Sequence, residues 1–215
     1  MMHEMDIKEI RCAVVANGAF PENKAVVKRL AEAQFIIACD GAAMKLLAHG
    51  IMPDAIVGDL DSVDEELRVS FVGEVYCNPD QEINDLTKAL LFAQEKGYRE
   101  VAVFGATGLR EDHTLGNISL LGEHSQRFAC LQMETDYGVF NAIKRNTSFS
   151  SFPGQQVSIF SLNTEVAITV SGLRYPIVDR RLTSWWQGTL NEATDTRFSI
   201  QVSGSDALVI VFRNY

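Results

Sequence analysis

The stretch QFIIACDGAAMKLLAHGIMPDAIVGDLD (residues 34–61) carries the reading of the fold. FIIAC and AIVG are short apolar, partly β-branched runs, each ended by Asp or Gly, which is how a buried strand closes. Between them AAMKLLAHG has helical spacing and a glycine at its end. A strand, a helix and a second strand in this register form a crossover unit, whose two strands lie parallel in one sheet.

The pattern repeats outward in both directions. IRCAVVANG, EVYCNPD, EVAVFGATG and FACLQMETD read as further strands, and ENKAVVKRLAEA, VDEELRVSFV, NDLTKALLFAQEKG and HTLGNISLLGEH as helices. In NDLTKALLFAQEKG, Leu86, Leu90 and Ala93 fall on one face and Gly97 supplies the stop. After Asn146 the texture changes to short alternating runs, QVSIFSL, EVAITVSG, RFSIQVSG and DALVIVFRN, separated by Gly, Asn, Ser and Asp. The expected fold class is α/β: an N-terminal, mostly parallel sheet domain over residues 1–145, then a smaller all-β sandwich or barrel over residues 146–215. The polar stretch Ala142–Pro153 is the expected boundary.

Composition narrows the function. The 215 residues are 47% hydrophobic and carry a net charge of -9, with no basic stripe, which argues against nucleic acid or an anionic membrane as the main partner. MMHEMDIKEIRC lacks the apolar core of a signal peptide and no apolar run is long enough to span a bilayer, so a cytoplasmic location is expected. Cys12, Cys39, Cys77 and Cys130 form no C-x-x-C pair and read as reduced core thiols.

In a parallel sheet, ligands bind beyond the carboxyl ends of the strands. Five successive strands end in polar or glycine residues: Asn17 and Gly18, Asp40 and Gly41, Asp59 and Asp61, Asp80 and Gln81, and Gly105 through Asp112. Each carboxylate also has a local reading. Ser62 and Glu65 fit an S-x-x-E capping box, and Asp85 and Asp112 suit helix starts. Gathered at one rim, Asp40, Asp59, Asp61 and Asp85 suit a hard cation such as Mg2+, which takes oxygen ligands and relieves their repulsion. Gly105 and Gly108 admit an anion close to the backbone, and Arg110 can neutralise it. No G-x-x-x-x-G-K-[ST] is present, which excludes a P-loop.

CDGA (39–42), PDAIVGDLDSV (53–63), DQEINDLTKAL (80–90), GATGLREDHTLGN (105–117) and GTLNEA (188–193), in this order and spacing, resemble the thiamine pyrophosphokinase family. The resemblance implies an ATP- and metal-binding α/β domain, a β domain that binds thiamine and dimerises, and a homodimer with sites between subunits. It implies transfer of diphosphate from ATP to the thiamine hydroxyl, giving thiamine diphosphate and AMP. It assigns Mg2+ to Asp40, Asp59, Asp61 and Asp85, with Asp59, Asp61, Asp85 and Arg110 as the catalytic set. The nucleotide falls to Thr107, Gly108, Arg110, Asp112 and His113, joined by Asn17 and Gly18 at the first strand end. Thiamine falls to Gln81, Trp185, Trp186 and Asn191, an aromatic pair and amides suited to a flat cation. On a strand the two tryptophans would point to opposite faces, one toward substrate and one toward core or interface.

The chain departs from the family pattern at Glu82 and Asn84, at Leu109, and at Leu190, where a hydroxyl near the vitamin is lost. Two other functions fit part of the sequence. DLDSV matches the D-x-D-x-[TV] of haloacid-dehalogenase-like phosphatases, with Asp59 as nucleophile and Asp61 as acid/base, but two strands precede it where that motif normally opens its domain. A non-catalytic thiamine or nucleotide sensor would be expected to lose the metal carboxylates, and all four are present.

Overall fold

The computed structural model describes residues 3, 4 and 6–215; Met1, Met2 and Met5, part of the N-terminal stretch read above, lie outside the described residues. The chain forms two compact units, one of Ile7–Leu120 and Gln126–Asp136, the other of the chain up to Asp6, Leu121–Ser125 and Tyr137–Tyr215.

After a two-residue strand β1 (His3–Glu4), the α/β unit runs β2 (Ala13–Val15), α1 (Lys24–Ala31), β3 (Ile36–Cys39), α2 (Ala42–Ala48), β4 (Ala55–Gly58), α3 (Glu65–Ser70), β5 (Glu74–Cys77), α4 (Asp85–Glu95), β6 (Glu100–Phe104), α5 (Glu111–His124), whose residues from Leu121 onward count with the other unit, and β7 (Cys130–Thr135). Its strands are ordered β7-β6-β2-β3-β4-β5 and every pairing is parallel. β2, β3 and β4 are buried along their whole length, which is why they are continuously apolar rather than alternating. β5 is the edge strand and is exposed throughout. The chain progresses outward from β2 to β5, then returns to add β6 on the other side of β2. Strand order therefore reverses between β2 and β6, the place where such sheets open a ligand crevice.

The helices form where capping and periodicity agree. Asn84 accepts the Thr87 N–H at 2.8 Å to start α4, which buries Leu86, Ala89, Leu90, Phe92 and Ala93, and Gly97 ends it at φ +87°. Helix α1 is fixed to β7 by Arg29, whose Nη2 and Nε donate to the buried Glu134 carboxylate at 2.8 and 2.9 Å.

The β unit contains β8 (Gly138–Ile143), β9 (Thr147–Ser150), β10 (Gln156–Ser161), β11 (Ala167–Ser171), β12 (Arg180–Arg181), β13 (Asn191–Glu192), β14 (Arg197–Val202) and β15 (Val209–Asn214). One sheet is ordered β13-β10-β15-β8 and is antiparallel; the other is β1-β9-β14-β11-β12, antiparallel except for the β1–β9 pair. Alternate residues face inward, Val157 and Ile159 on β10, Ile168 and Val170 on β11, Phe198 and Ile200 on β14. Arg213 of β15 reaches across to β9, with its guanidinium 4.8 Å from the Phe149 ring and donating to Ser150 O, Asn141 Oδ1 and Asp6 Oδ1.

β8 begins before residue 146, and β9 lies inside the polar stretch 142–153. Thr147, Ser148 and Phe149 are all buried there. The hydroxyls disguise a strand whose Thr147 Oγ1 and Ser148 Oγ are satisfied by the carbonyls of Arg145 and Phe198. Among the described residues no helix is long and apolar enough to cross a membrane. All four cysteines are free; Cys12, Cys39 and Cys130 are buried, while Cys77, on the edge strand, is exposed and is no core thiol.

Candidate active site

A pocket of about 430 Å3 opens at the carboxyl ends of the parallel strands, within the α/β unit. Its wall takes Asn17 and Gly18 from the loop after β2, Asp40 after β3, Asp59, Asp61 and Ser62 after β4, Asn84 and Asp85 at the start of α4, and Thr107, Leu109, Arg110 and His113 after β6. Of the strand-end and loop residues singled out above, Gly41, Asp80, Gln81, Gly105, Gly108 and Asp112 are not on this wall, nor are Trp185, Trp186 and Asn191.

The floor is acidic. One carboxylate oxygen from each of Asp40, Asp59 and Asp61 lies within 4.8 Å of the others. Their convergence is forced by backbone: Asp40 (φ +44°) and Leu60 (φ +68°) both adopt the left-handed conformation, which costs a buried Leu more than an Asp. Gly58 allows the approach, because a Cβ there would sit 2.9 Å from Asp40 Cβ. Asp40 is 4% exposed; Oδ2 accepts the Ser62 N–H at 3.3 Å, and the buried Oδ1 has no hydrogen-bond partner. Burial pushes the Asp40 carboxyl above its ordinary range, and the charges of Asp85 and Asp61 push the same way. Asp59 is held below its range, first by the Gln81 amide, which donates to Oδ2 at 3.0 Å, then by the Asp61 N–H on Oδ1 at 3.2 Å. An all-oxygen donor set with one buried, unsatisfied oxygen fits a hard divalent cation.

Asp85 lines the same pocket but stands outside this triad; Lys88 Nζ donates to its Oδ1 at 3.1 Å. The expected capping box at Ser62 does not form. Asp64 is the N-cap residue of α3, and Ser62 Oγ donates instead to Asp61 Oδ1 at 2.9 Å, because the turn at Leu60 aims Ser62 at the acids.

The glycine loop is stitched to the first one. Gly18 N–H donates to Gly105 O at 2.7 Å and Ala19 N–H to Thr107 O at 2.8 Å, with Gly105 (φ +61°) and Gly108 (φ +88°) in conformations that suit glycine. Arg110 turns outward to Asp112, donating at 2.6 Å from Nη2 and 3.1 Å from Nε; the pair is exposed and holds the Asp112 carboxyl down to about 2. Two supports went unread in the sequence. Lys45 Nζ donates to Asn17 O and Gly18 O at 2.9 and 2.6 Å, and no sequence signal marks a lysine that binds carbonyls. Asn117 Nδ2 donates to Ala106 O at 2.8 Å, and its i+4 spacing from His113 could have placed both on one helical face.

Trp185, Trp186 and Asn191 belong to the β unit. The tryptophans lie in a 3-10 turn, Trp185–Gly188, rather than on a strand, closed by a capping box between Ser184 and Gln187. The expected strand alternation is therefore replaced: Trp186 is 72% exposed, and Trp185 is 42% exposed with its ring edge-on to Phe160. Asn191 is buried, donating to Tyr175 O at 2.7 Å and accepting Tyr175 N–H at 3.0 Å.

With this geometry in place, similarity to known proteins is decisive. The family model for the thiamin pyrophosphokinase catalytic domain matches residues 26–131, and that for the thiamin pyrophosphokinase substrate-binding domain matches residues 138–212. The chain belongs to the thiamin pyrophosphokinase family. A thiamine pyrophosphokinase from Bacillus subtilis is 39% identical over 90 residues, a match spanning 40% of this chain and 42% of that relative. Solved structures extend the likeness of fold. The Bacillus subtilis thiamine pyrophosphokinase structure has a TM-score of 0.77 at 23% identity, covering 94% of this chain and 98% of that one. The Candida albicans thiamin pyrophosphokinase has a TM-score of 0.84 at 15% identity, covering 100% and 94%. Within a thiamin pyrophosphokinase family chain, DLDSV follows the third parallel strand of its unit, β4, not the first, against the phosphatase reading.

Proposed function

We propose that this chain transfers the terminal diphosphate of ATP to the hydroxyl of thiamine, releasing AMP, with Mg2+ held by Asp40, Asp59 and Asp61. The observation that carries this is the carboxylate triad, with its one buried oxygen lacking a partner, on the wall of a pocket that also contains the loop after β6. The family membership supports the choice of thiamine and ATP.

The residues divide the work. Asp40, Asp59 and Asp61 hold the metal, and Asp85 extends the acidic wall. When bound, Mg2+ supplies positive charge against the phosphate oxygens as AMP leaves. Asn17, Gly18, Thr107 and Gly108 shape the phosphate loop, and Arg110, with Asp112 and His113, adds a cation and polar contacts at its rim. Phosphoryl-type transfer needs positioning and charge stabilisation, not a covalent nucleophile, so an in-line attack on the β-phosphorus suffices. Asp61 or Asp85 accepts the thiamine hydroxyl proton. Gln81 orients thiamine, and Trp185, Trp186 and Asn191 complete the vitamin site from a second subunit of a cytoplasmic homodimer. The exposed apolar side chains of Trp186, Leu190 and Tyr175 support a contact role for the β unit.

The test is to supply Mg2+, ATP and thiamine and identify both products. AMP with thiamine diphosphate is expected, and Asp59→Asn or Asp61→Asn should reduce turnover by about a thousandfold. ADP with thiamine monophosphate would overturn diphosphate transfer, and near-normal turnover of both variants would return these acids to a structural role.

A further inference from the structure

Lys88 is a buried charge on helix α4 of the α/β unit. Its side chain is 2% exposed, and its Nζ meets one carboxylate, Asp85 Oδ1 at 3.1 Å. The neighbouring core positions on α4, Leu86, Ala89 and Leu90, are apolar and fully buried. A methionine would fill such a position without the several kcal/mol that desolvating an ammonium costs. The position is explained by what it borders. Asp40, Asp59, Asp61 and Asp85 put four carboxylates on one wall, and Arg110, the cation on that wall, is engaged with Asp112. Lys88 is not on the pocket wall itself, and it pins the one carboxylate of the four that stays outside the triad. Its charge is also felt at Asp59, as a smaller contribution beside the Gln81 and Asp61 hydrogen bonds.

We propose that Lys88 is a positioning residue: it tethers Asp85 away from the Asp40–Asp59–Asp61 triad and offsets the charge of the wall, so that a divalent cation binds weakly alone and tightly only together with the nucleotide phosphates. The inference rests on the metal-site reading given above. Without Lys88, Asp85 is released toward the triad and the wall gains one net negative charge. Cation affinity in the absence of nucleotide then rises, and the gain in cation affinity brought by nucleotide shrinks.

The experiment is Mn2+ binding, followed by electron paramagnetic resonance or calorimetry, on the full chain with and without a non-hydrolysable ATP analogue. Wild type, Lys88→Met, Lys88→Arg and Asp59→Asn are compared, after circular dichroism confirms the fold; Lys88→Gln takes the place of Lys88→Met if the latter does not fold. Without nucleotide, Lys88→Met should bind Mn2+ about tenfold tighter than wild type, the scale expected when a unit charge is removed beside a partly screened divalent ion. Lys88→Arg should behave as wild type. A Lys88→Met affinity unchanged or weaker would overturn the proposal, as a purely structural lysine changes stability and not cation affinity. Failure of the site reading has a different signature: Asp59→Asn would then bind Mn2+ as wild type does, and the proposal would fall with it.

Discussion

Gln81 Nε2 donates to Asp59 Oδ2 at 3.0 Å, so a residue assigned to the vitamin grips a carboxylate assigned to the metal. On the proposed assignment, one side chain links the vitamin site to the metal site. Gln81→Ala frees Asp59 to rotate and should lower kcat/KM for thiamine by about tenfold, the scale of one hydrogen bond to a charged group. Gln81→Glu sets a second carboxylate against Asp59 and should cost more, with the Mg2+ requirement raised as well. Steady-state rates across a Mg2+ series check both; equal losses in the two variants would contradict the coupling.

Asp40 makes a prediction about pH. Burial raises its carboxyl in the folded chain, so between the ordinary and the raised pKa the folded state binds more protons than the unfolded one. The metal-free protein therefore loses stability as pH rises through that window, and the penalty persists above it. Asp40→Asn removes the penalty and should raise the metal-free Tm at pH 7.5 by about 2 °C. The difference should fade as pH falls toward the ordinary carboxylate range. Added Mg2+ should stabilise wild type and leave Asp40→Asn unmoved, which differential scanning fluorimetry reads directly.

Gly18 has no room for a side chain. A Cβ there would lie 2.4 Å from Gly105 O and 2.7 Å from Thr107 O, both backbone atoms that hold the two pocket loops together. Gly18→Ala should separate those loops, costing about 2 kcal/mol and raising the KM for ATP. Thermal unfolding and ATP titration check it.

The two tryptophans should part company. Trp186, with most of its ring in solvent, should tolerate alanine with no loss of Tm, while Trp185→Ala gives up the edge contact with Phe160 and should lose a few degrees, about 1 kcal/mol. If each ring stacks on the vitamin, both variants raise the KM for thiamine. A change in oligomeric state, read by light scattering, would instead assign the ring to the subunit interface.

Much of this was legible in the chain itself. Residues 34–61 fold as read because a buried parallel strand must be apolar on both faces and end where polar loops begin, a local requirement that leaves its mark on Ile36–Cys39 and Ala55–Gly58. The same logic located Asp40, Asp59, Asp61 and the loop after β6 at one rim. The capping box expected at Ser62 is replaced by a hydrogen bond to the adjacent Asp61, because left-handed Leu60, a conformation no propensity announces, sets the turn ahead of both residues. Strand β9 was hidden by Thr147 and Ser148, polar in composition and buried in fact. Sequence thus determined which residues could reach the site, through periodicity and strand ends. Only the tertiary structure decided that Asp40 meets Asp59 and Asp61 within 4.8 Å while Asp85 stays outside the triad, because that convergence joins the ends of two different strands through the left-handed turns at Asp40 and Leu60.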